Sequence, residues 1–228
     1  MIVAAHQPNF LPYIGFFYKI YCSDVFVISD TVSFSRRGFH HYNYFNENGQ
    51  RKKITVPVSH TSGQIDEVLL SQWHYHKKKM VKRLKSDYAR SPHYDQIMPE
   101  FEKVLLRDYD TLLELNMALL FTACHLLDIH PTFDFEYVLN PSGDTPTEQI
   151  ADICHKTDCT TYLSGEGAMD YLDVPYLEQQ GIRTLFTNYT PLQYGSLENL
   201  SVFDYLMNNG AGLPNEWELK RRRLRHGI

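Results

Sequence analysis

The apolar positions change period several times along the chain, and each change marks an element. Residues 1–5 form a short apolar run with β-branched members, the pattern of a strand buried on both faces. Pro8 and Pro12 forbid a continuous helix over 6–12, so that stretch reads as a loop. Residues 13–21 are densely apolar, and a proline just ahead of them favours a helix start. Residues 24–30 read as a second buried strand. Strand, loop, helix, strand is a βαβ unit, and it predicts a parallel sheet.

The pattern then shifts. Residues 34–58 alternate aromatic and polar side chains around Asn48-Gly49, a strong hairpin signal, with arms at 39–45 and 52–58. Residues 60–72 read as a further extended stretch, with Ile65, Val68 and Leu70 apolar. From 73 to 130 the spacing is helical: 77–88, a break at Ser91-Pro92, then 97–108 with Pro99 near its start, then 111–127. In the last of these, Leu112, Leu115, Leu119 and Thr122 or Ala123 share one face. This block resembles a helical insertion (73–130) within one domain spanning 1–228.

Alternation resumes with a strand at 132–138 and a helix at 146–156 that has Thr145 as its N-cap. A strand at 160–163 leads into Ser164-Gly165-Glu166-Gly167. Residues 168–180 are partly helical and stop at Gly181. A strand at 183–189 and a helix at 201–209, ended by Asn208-Asn209-Gly210, complete the pattern. The basic tail at 220–225 is expected to fray. The predicted fold is α/β, a Rossmann-like parallel sheet with a β-hairpin and a helical insertion.

Composition narrows the function. Of 228 residues, 43% are hydrophobic and 21% charged, enough to build a core. Lys plus Arg is 22 against 27 for Asp plus Glu, a net charge of -5, which argues against a general nucleic-acid coat protein. No apolar run approaches the roughly 20 residues of a membrane helix. The first ten residues lack a basic region, and His6, Gln7 and Pro8 interrupt the apolar run, so no signal peptide is expected. Cys22, Cys124, Cys154 and Cys159 form no C-x-x-C pair. A cytoplasmic protein with reduced thiols is expected. Cys154, Cys159 and His155 fall short of the four ligands of a structural zinc site, and no metal site is expected.

Open α/β sheets bind ligands at the carboxyl ends of their strands, and three polar loops have that address. The first holds His6 and Gln7, with Pro12, then Gly15 to admit a close approach and Lys19 one turn on. A helix start with a glycine and a lysine suits an anionic group such as phosphate. The second begins at Asp30 and carries Arg36, Arg37, His40, His41 and Asn43, donors suited to an acidic or sugar-phosphate ligand. The third is Ser164, Gly165, Glu166 and Gly167, a turn whose amides suit an anion. P-loop, H-E-x-x-H, G-x-S-x-G and G-x-G-x-x-G patterns are absent.

These residues resemble the WbqC-like family. The likeness rests on His6-Gln7-Pro8, Pro12, Gly15, Lys19, Asp24-Val25-Phe26-Val27 and Asp30. It continues through Thr55-Val56-Pro57-Val58, Tyr162-Leu163-Ser164-Gly165 with Tyr171-Leu172, Tyr189 to Tyr194, and Leu200-Ser201-Val202-Phe203-Asp204 with Asn208 and Gly210. One departure stands out: the chain has Tyr42-Asn43 where the family commonly has Arg-Asn. An anion-binding role for that arginine would then fall to Arg36, Arg37 or Arg51. The resemblance implies a bacterial protein of surface-polysaccharide (O-antigen, lipopolysaccharide) biosynthesis. For some members the proposed role is attaching an aminoacyl group, such as glycyl, to the amine of a nucleotide-linked amino sugar.

A second likeness is one of placement. Phe10-Leu11-Pro12-Tyr13-Ile14-Gly15 sits where nucleotidylyltransferases and class I tRNA synthetases carry their HIGH motif, although Tyr13 and Phe16 stand at the flanking positions. Two functional readings remain. In the first, a transferase uses His6 or Asp30 as general base, with Gln7, Asn43 or loop amides meeting the developing oxyanion. Its donor is open: ATP with magnesium and an aminoacyl donor both fit, and a charged tRNA would bring the basic tail into use. In the second, a noncatalytic sugar-binding or scaffold protein uses the aromatic hairpin of Phe34, Phe39, Tyr42, Tyr44 and Phe45 as its contact surface.

Overall fold

The computed structural model describes residues 1–60, 62–192, 194 and 197–226. Thr61, inside the stretch expected to be extended, and Gln193, inside the Tyr189 to Tyr194 match, lie outside the described residues.

The first five elements follow from local chemistry. β1 (Ile2–His6), α1 (Ile14–Cys22) and β2 (Val25–Ile28) form the expected βαβ unit. Ser23 closes α1, its amide and hydroxyl both donating to the Ile20 carbonyl. β3 (Tyr42–Glu47) and β4 (Gln50–Thr55) pair antiparallel around Asn48 and Gly49. Both turn residues have positive φ, 52° and 78°, the conformation of a two-residue turn that Asn-Gly favours.

Three helices follow: α2 (Trp73–Tyr88), α3 (Tyr94–Leu105) and α4 (Leu112–Leu126). α2 begins a turn earlier than its apolar spacing suggests. α4 opens on a capping box, in which Thr111 and Glu114 bond each other's backbone amides, so the orphan donors of its first turn are satisfied. Between β4 and α2 the described residues form no further strand; they make a 3₁₀ turn at Ile65–Glu67 and isolated bridges from Gln64 to Ser33, Val58 to Leu70 and Leu69 to Thr111.

The expected strand over 132–138 divides. β5 (Thr132–Phe135) runs straight into a single helical turn, α5 (Glu136–Leu139). The reason lies far away in sequence: the Asp30 carboxylate accepts the Tyr137 amide at 2.9 Å and anchors the first turn. α6 (Pro146–Lys156), β6 (Thr161–Ser164), α7 (Val174–Gln179), β7 (Arg183–Phe186) and α8 (Val202–Asn209) complete the alternation.

The C-terminal tail is not frayed. α9 (Trp217–His226) packs on α1, with Trp217 fully buried and its ring 5.3 Å from that of Tyr18. Most of its cations are engaged: Lys220 with Glu216, Arg222 with Glu218, and Arg225 with Asp24, while Arg221 lies over the Tyr21 ring. A basic composition suggested a solvated end. Trp217 outweighs it, because a buried tryptophan contributes more than exposed charges lose.

The sheet order is β5-β2-β1-β6-β7, and every neighbouring pair is parallel. Alternate residues of β1 and β2 face opposite layers. Ile2, Ala4, Phe26 and Ile28 join a cluster with α1, α4 and α8, and this cluster continues into α2 and α3. Val3, Val25 and Val27 join a second cluster with α6 and α7. Burial on both faces explains the near-continuous apolar runs. Strand order reverses between β1 and β6, and the crevice at such a point is the usual ligand address.

Candidate functional site

A cleft of about 560 Å³ opens at the carboxyl ends of β1, β2 and β6. His6, Gln7, Lys19, Ser164, Gly165 and Glu166 line it together, as do Tyr13, Gln149, Tyr162 and Tyr171. The first and third of the predicted loops therefore meet. The alternation of β1 explains His6: Ile2, Ala4 and His6 share the face toward α1, and the imidazole meets the Phe16 ring edge-on at 4.7 Å.

The proton of His6 is placed by its neighbour. Nδ1 lies 3.0 Å from the Gln7 carbonyl. A carbonyl oxygen only accepts, so Nδ1 carries the hydrogen and Nε2 keeps a free lone pair. Burial is the main reason the imidazole resists protonation, and the Lys19 ammonium adds to it, so its pKa falls to about 4. Lys19 is itself buried in α1, where Nζ donates to the Ala5 carbonyl at 2.9 Å. Desolvation lowers its pKa to about 8, against the opposing pull of Glu166. Lys19 remains mostly a cation at neutral pH.

Gln7 is oriented by His40. The Ser35 amide donates to His40 Nδ1 at 3.3 Å, so the other ring nitrogen carries the hydrogen and donates to Gln7 Oε1 at 2.8 Å. Burial holds His40 neutral, with a pKa near about 4, which keeps this tautomer in place. With Oε1 occupied, the Gln7 carboxamide retains its NH₂ as the free donor. Glu166 ties two loops together, its Oε1 accepting from the Thr187 hydroxyl at 2.9 Å and the Tyr189 amide at 3.0 Å.

Other predicted residues are placed elsewhere. Asp30 does not line the cleft, and burial raises its pKa despite the bond from Tyr137. Asn43, with Pro12, lines an adjoining cavity that His6, Gln7 and Glu166 also reach, but it is buried, and its Nδ2 donates to the Phe10 and Leu11 carbonyls while its Oδ1 accepts the Tyr44 amide. These bonds shape the 6–12 loop. His41 is buried against Phe34 and Tyr42, and its Nδ1 has no partner among the described residues. The close approach that Gly15 admits comes from two rings of this chain: a Cβ there would overlap Tyr13 and lie 2.6 Å from Tyr189. Pro12 precedes this point, and its carbonyl accepts the Val202 amide. In the third loop the Ala168 and Met169 amides are taken by a 3₁₀ turn, donating to Gly165 and Glu166, and Ser164 is buried.

The aromatic hairpin is mostly interior. Phe34, Tyr42 and Phe45 are buried, and Phe39 is 40% exposed. Phe45 packs against Phe10 and Phe203, because one arm of the hairpin faces the helices. At the positions that matched the HIGH motif, Phe16 is a buried core residue.

Sequence reasoning gave no site role to Tyr13, Tyr162, Tyr171 and Gln149. Tyr171 had appeared as part of a matching dipeptide, but nothing in its local pattern placed it on a cleft wall. Among the described residues, no group of three His, Cys, Asp or Glu side chains is arranged to hold a metal. No helix of the described residues is long and apolar enough to cross a membrane.

Comparison with known proteins adds kinship. The sequence model of the WbqC-like protein family matches residues 7–215. A protein of Mycobacterium tuberculosis described as "Uncharacterized protein Rv1507c" is 28% identical over 227 residues, covering 93% of this chain and 96% of the relative. No solved structure matches.

Proposed function

The chain belongs to the WbqC-like family, and from that premise we propose that it is a group-transfer enzyme acting on a nucleotide-linked sugar in surface-polysaccharide biosynthesis. One observation carries the reading. A neutral imidazole with its proton fixed on Nδ1 and its Nε2 lone pair left free lines a cleft at the switch point of the sheet, near the Lys19 ammonium.

In this reading the sugar nucleotide lies in the cleft with its phosphates toward Lys19, an anion beside a partly desolvated cation. The amine of an amino sugar is nucleophilic once it has lost its ammonium proton. His6 Nε2 accepts the proton that nitrogen sheds as it attacks the acyl carbon of an activated donor. The new N–C bond forms, and the bond from that carbon to the leaving group breaks with its electron pair. The Gln7 NH₂, held by His40, meets the negative charge that develops on the acyl oxygen. A glycyl or other aminoacyl donor satisfies this chemistry. Because α9 engages most of its cations within the chain, a tRNA donor draws no support from the tail. A cytoplasmic location accompanies such a substrate.

The test compares wild type with His6→Asn and Lys19→Met, using a dTDP- or UDP-linked amino sugar in calorimetric titration and thermal unfolding. Wild type is expected to bind and to gain several degrees of thermal stability. Lys19→Met is expected to bind roughly tenfold or more weakly, the loss of a charge-assisted contact. His6→Asn is expected to keep binding and to lose transfer. Failure of wild type to bind any nucleotide-linked sugar, or unchanged affinity in Lys19→Met, would reject the proposal.

A further inference from the structure

A second cleft, also of about 560 Å³, adjoins the first. His6, Gln7, Tyr13 and Glu166 line both. A group transfer needs two molecules on one centre, and here two cavities meet at the imidazole.

The far walls differ in chemistry. The first cleft has Lys19. The second runs toward the β3–β4 hairpin and is lined by Asn9, Phe39, Arg51 and Asn199. The Arg51 guanidinium carbon lies 3.9 Å from the centroid of the Tyr44 ring. Stacking holds the group by its face and leaves its N–H edge for an oxyanion. No carboxylate of the described residues pairs with it: the nearby Glu47 is engaged by Lys52 and Arg83. Asn9 is 8% exposed, and its Oδ1 has no hydrogen-bond partner among the described residues. Buried carboxamides are ordinarily satisfied, and this one adjoins an open cavity. Phe39 leaves much of its ring to solvent on the same wall.

Resting on the transfer reading above, we propose that this second cleft binds the co-substrate that supplies the transferred group. That molecule carries an oxyanion, carboxylate or phosphate, for Arg51. It carries polar functions for the carboxamides of Asn9 and Asn199. It places its reacting carbon at the wall where His6 and Gln7 face both cavities. The two substrates then enter through separate cavities that meet at these residues, and neither must leave for the other to enter.

The test uses the isotope-labelled full chain, titrated separately with inorganic phosphate and with acetate while backbone amide resonances are followed. Saturable shifts are expected at Asn9, Phe39 and Arg51 with at least one anion. They should weaken roughly tenfold in Arg51→Met, whose spectrum also reports whether the fold is intact. They should persist when UDP-N-acetylglucosamine is present. The anion that binds distinguishes a phosphate-bearing donor from a carboxylate-bearing one. Shifts confined to Gly167 and Tyr171, no saturable shift with either anion, or an Arg51→Met response equal to wild type would each overturn the inference. The nucleotide sugar keeps the two proposals apart: its failure to move the first-cleft resonances counts against the transfer reading, whereas a vacant second cleft beside a filled first one counts only against this inference.

Discussion

The chemistry of the first cleft turns on two groups that hold each other's charge state. Lys19 is one cause of the low His6 pKa, second to burial. An imidazole that acts as a base must be neutral, so the acid limb of kcat/KM is expected below the usual histidine value of 6.5 and toward about 4. Replacing Lys19 by Met removes a positive neighbour, which makes protonation easier. The limb should therefore move to higher pH in Lys19→Met, while burial keeps it below an ordinary histidine; a limb that stays put would show that the two groups are not coupled. At the other end of the range, Lys19 loses its proton as pH rises through about 8. Affinity for a phosphorylated ligand in the first cleft should fall across that interval, measured as Kd against pH. The residue types of this pair were legible in the sequence, and so was their spacing. Their burial was not: an isolated lysine in a short helix reads as solvated, and only the packing of α1 against the sheet, where Lys19 reaches the Ala5 carbonyl of β1, takes this one out of water.

At the scale of elements, α1 forms where its sequence predicts, but against a different neighbour. Its start after Pro12, its length and its place between two strands were all legible. Gly15 was expected to make room for a ligand, but it makes room for Tyr13 and Tyr189. A methyl group there must displace aromatic carbons packed against the helix. Gly15→Ala should cost about 1–3 kcal/mol, the usual range for overpacking, seen as a fall in Tm of roughly 2–10 °C. A Tm unchanged from wild type would show that the rings move aside freely. α5 makes the same point from the other direction. Its residues extend the apolar run of β5, and nothing local ends the strand; the Asp30 carboxylate, 107 residues earlier, ends it by taking the Tyr137 amide.

For the molecule as a whole, the two faces of the sheet are closed by different parts of the chain. α6 and α7 cover one face, and the helical block with α1 and α8 covers the other. α9 seals α1 from outside with Trp217 and ties itself back through Arg225 to Asp24, which also accepts the Ile2 amide. The tail therefore closes onto the first strand. Trp217→Ala should cost about 3–5 kcal/mol, as for other fully buried aromatics, and should lower Tm by roughly 6–20 °C. A loss near zero would mean that the tail is frayed after all.

The fold class was legible because strand and helix periods, turn residues and capping boxes are local. Asn48-Gly49, Thr111 with Glu114, and Thr145 with Glu148 each carry their geometry within four residues. The parallel sheet followed from alternation, while its strand order, and with it the switch point, came from the tertiary structure. The sequence by itself thus determined most of the elements, though not α5 or α9, together with their class and the strand ends where polar side chains collect. Which of those side chains remain available was decided by the tertiary structure alone. His6, Gln7, Lys19 and Glu166 line the first cleft, whereas Asn43, although on the wall of the second, and Asp30 are spent on carbonyls and amides. The physical reason is that a buried polar group must be paired, and its partner is set by proximity in space, which no local pattern encodes.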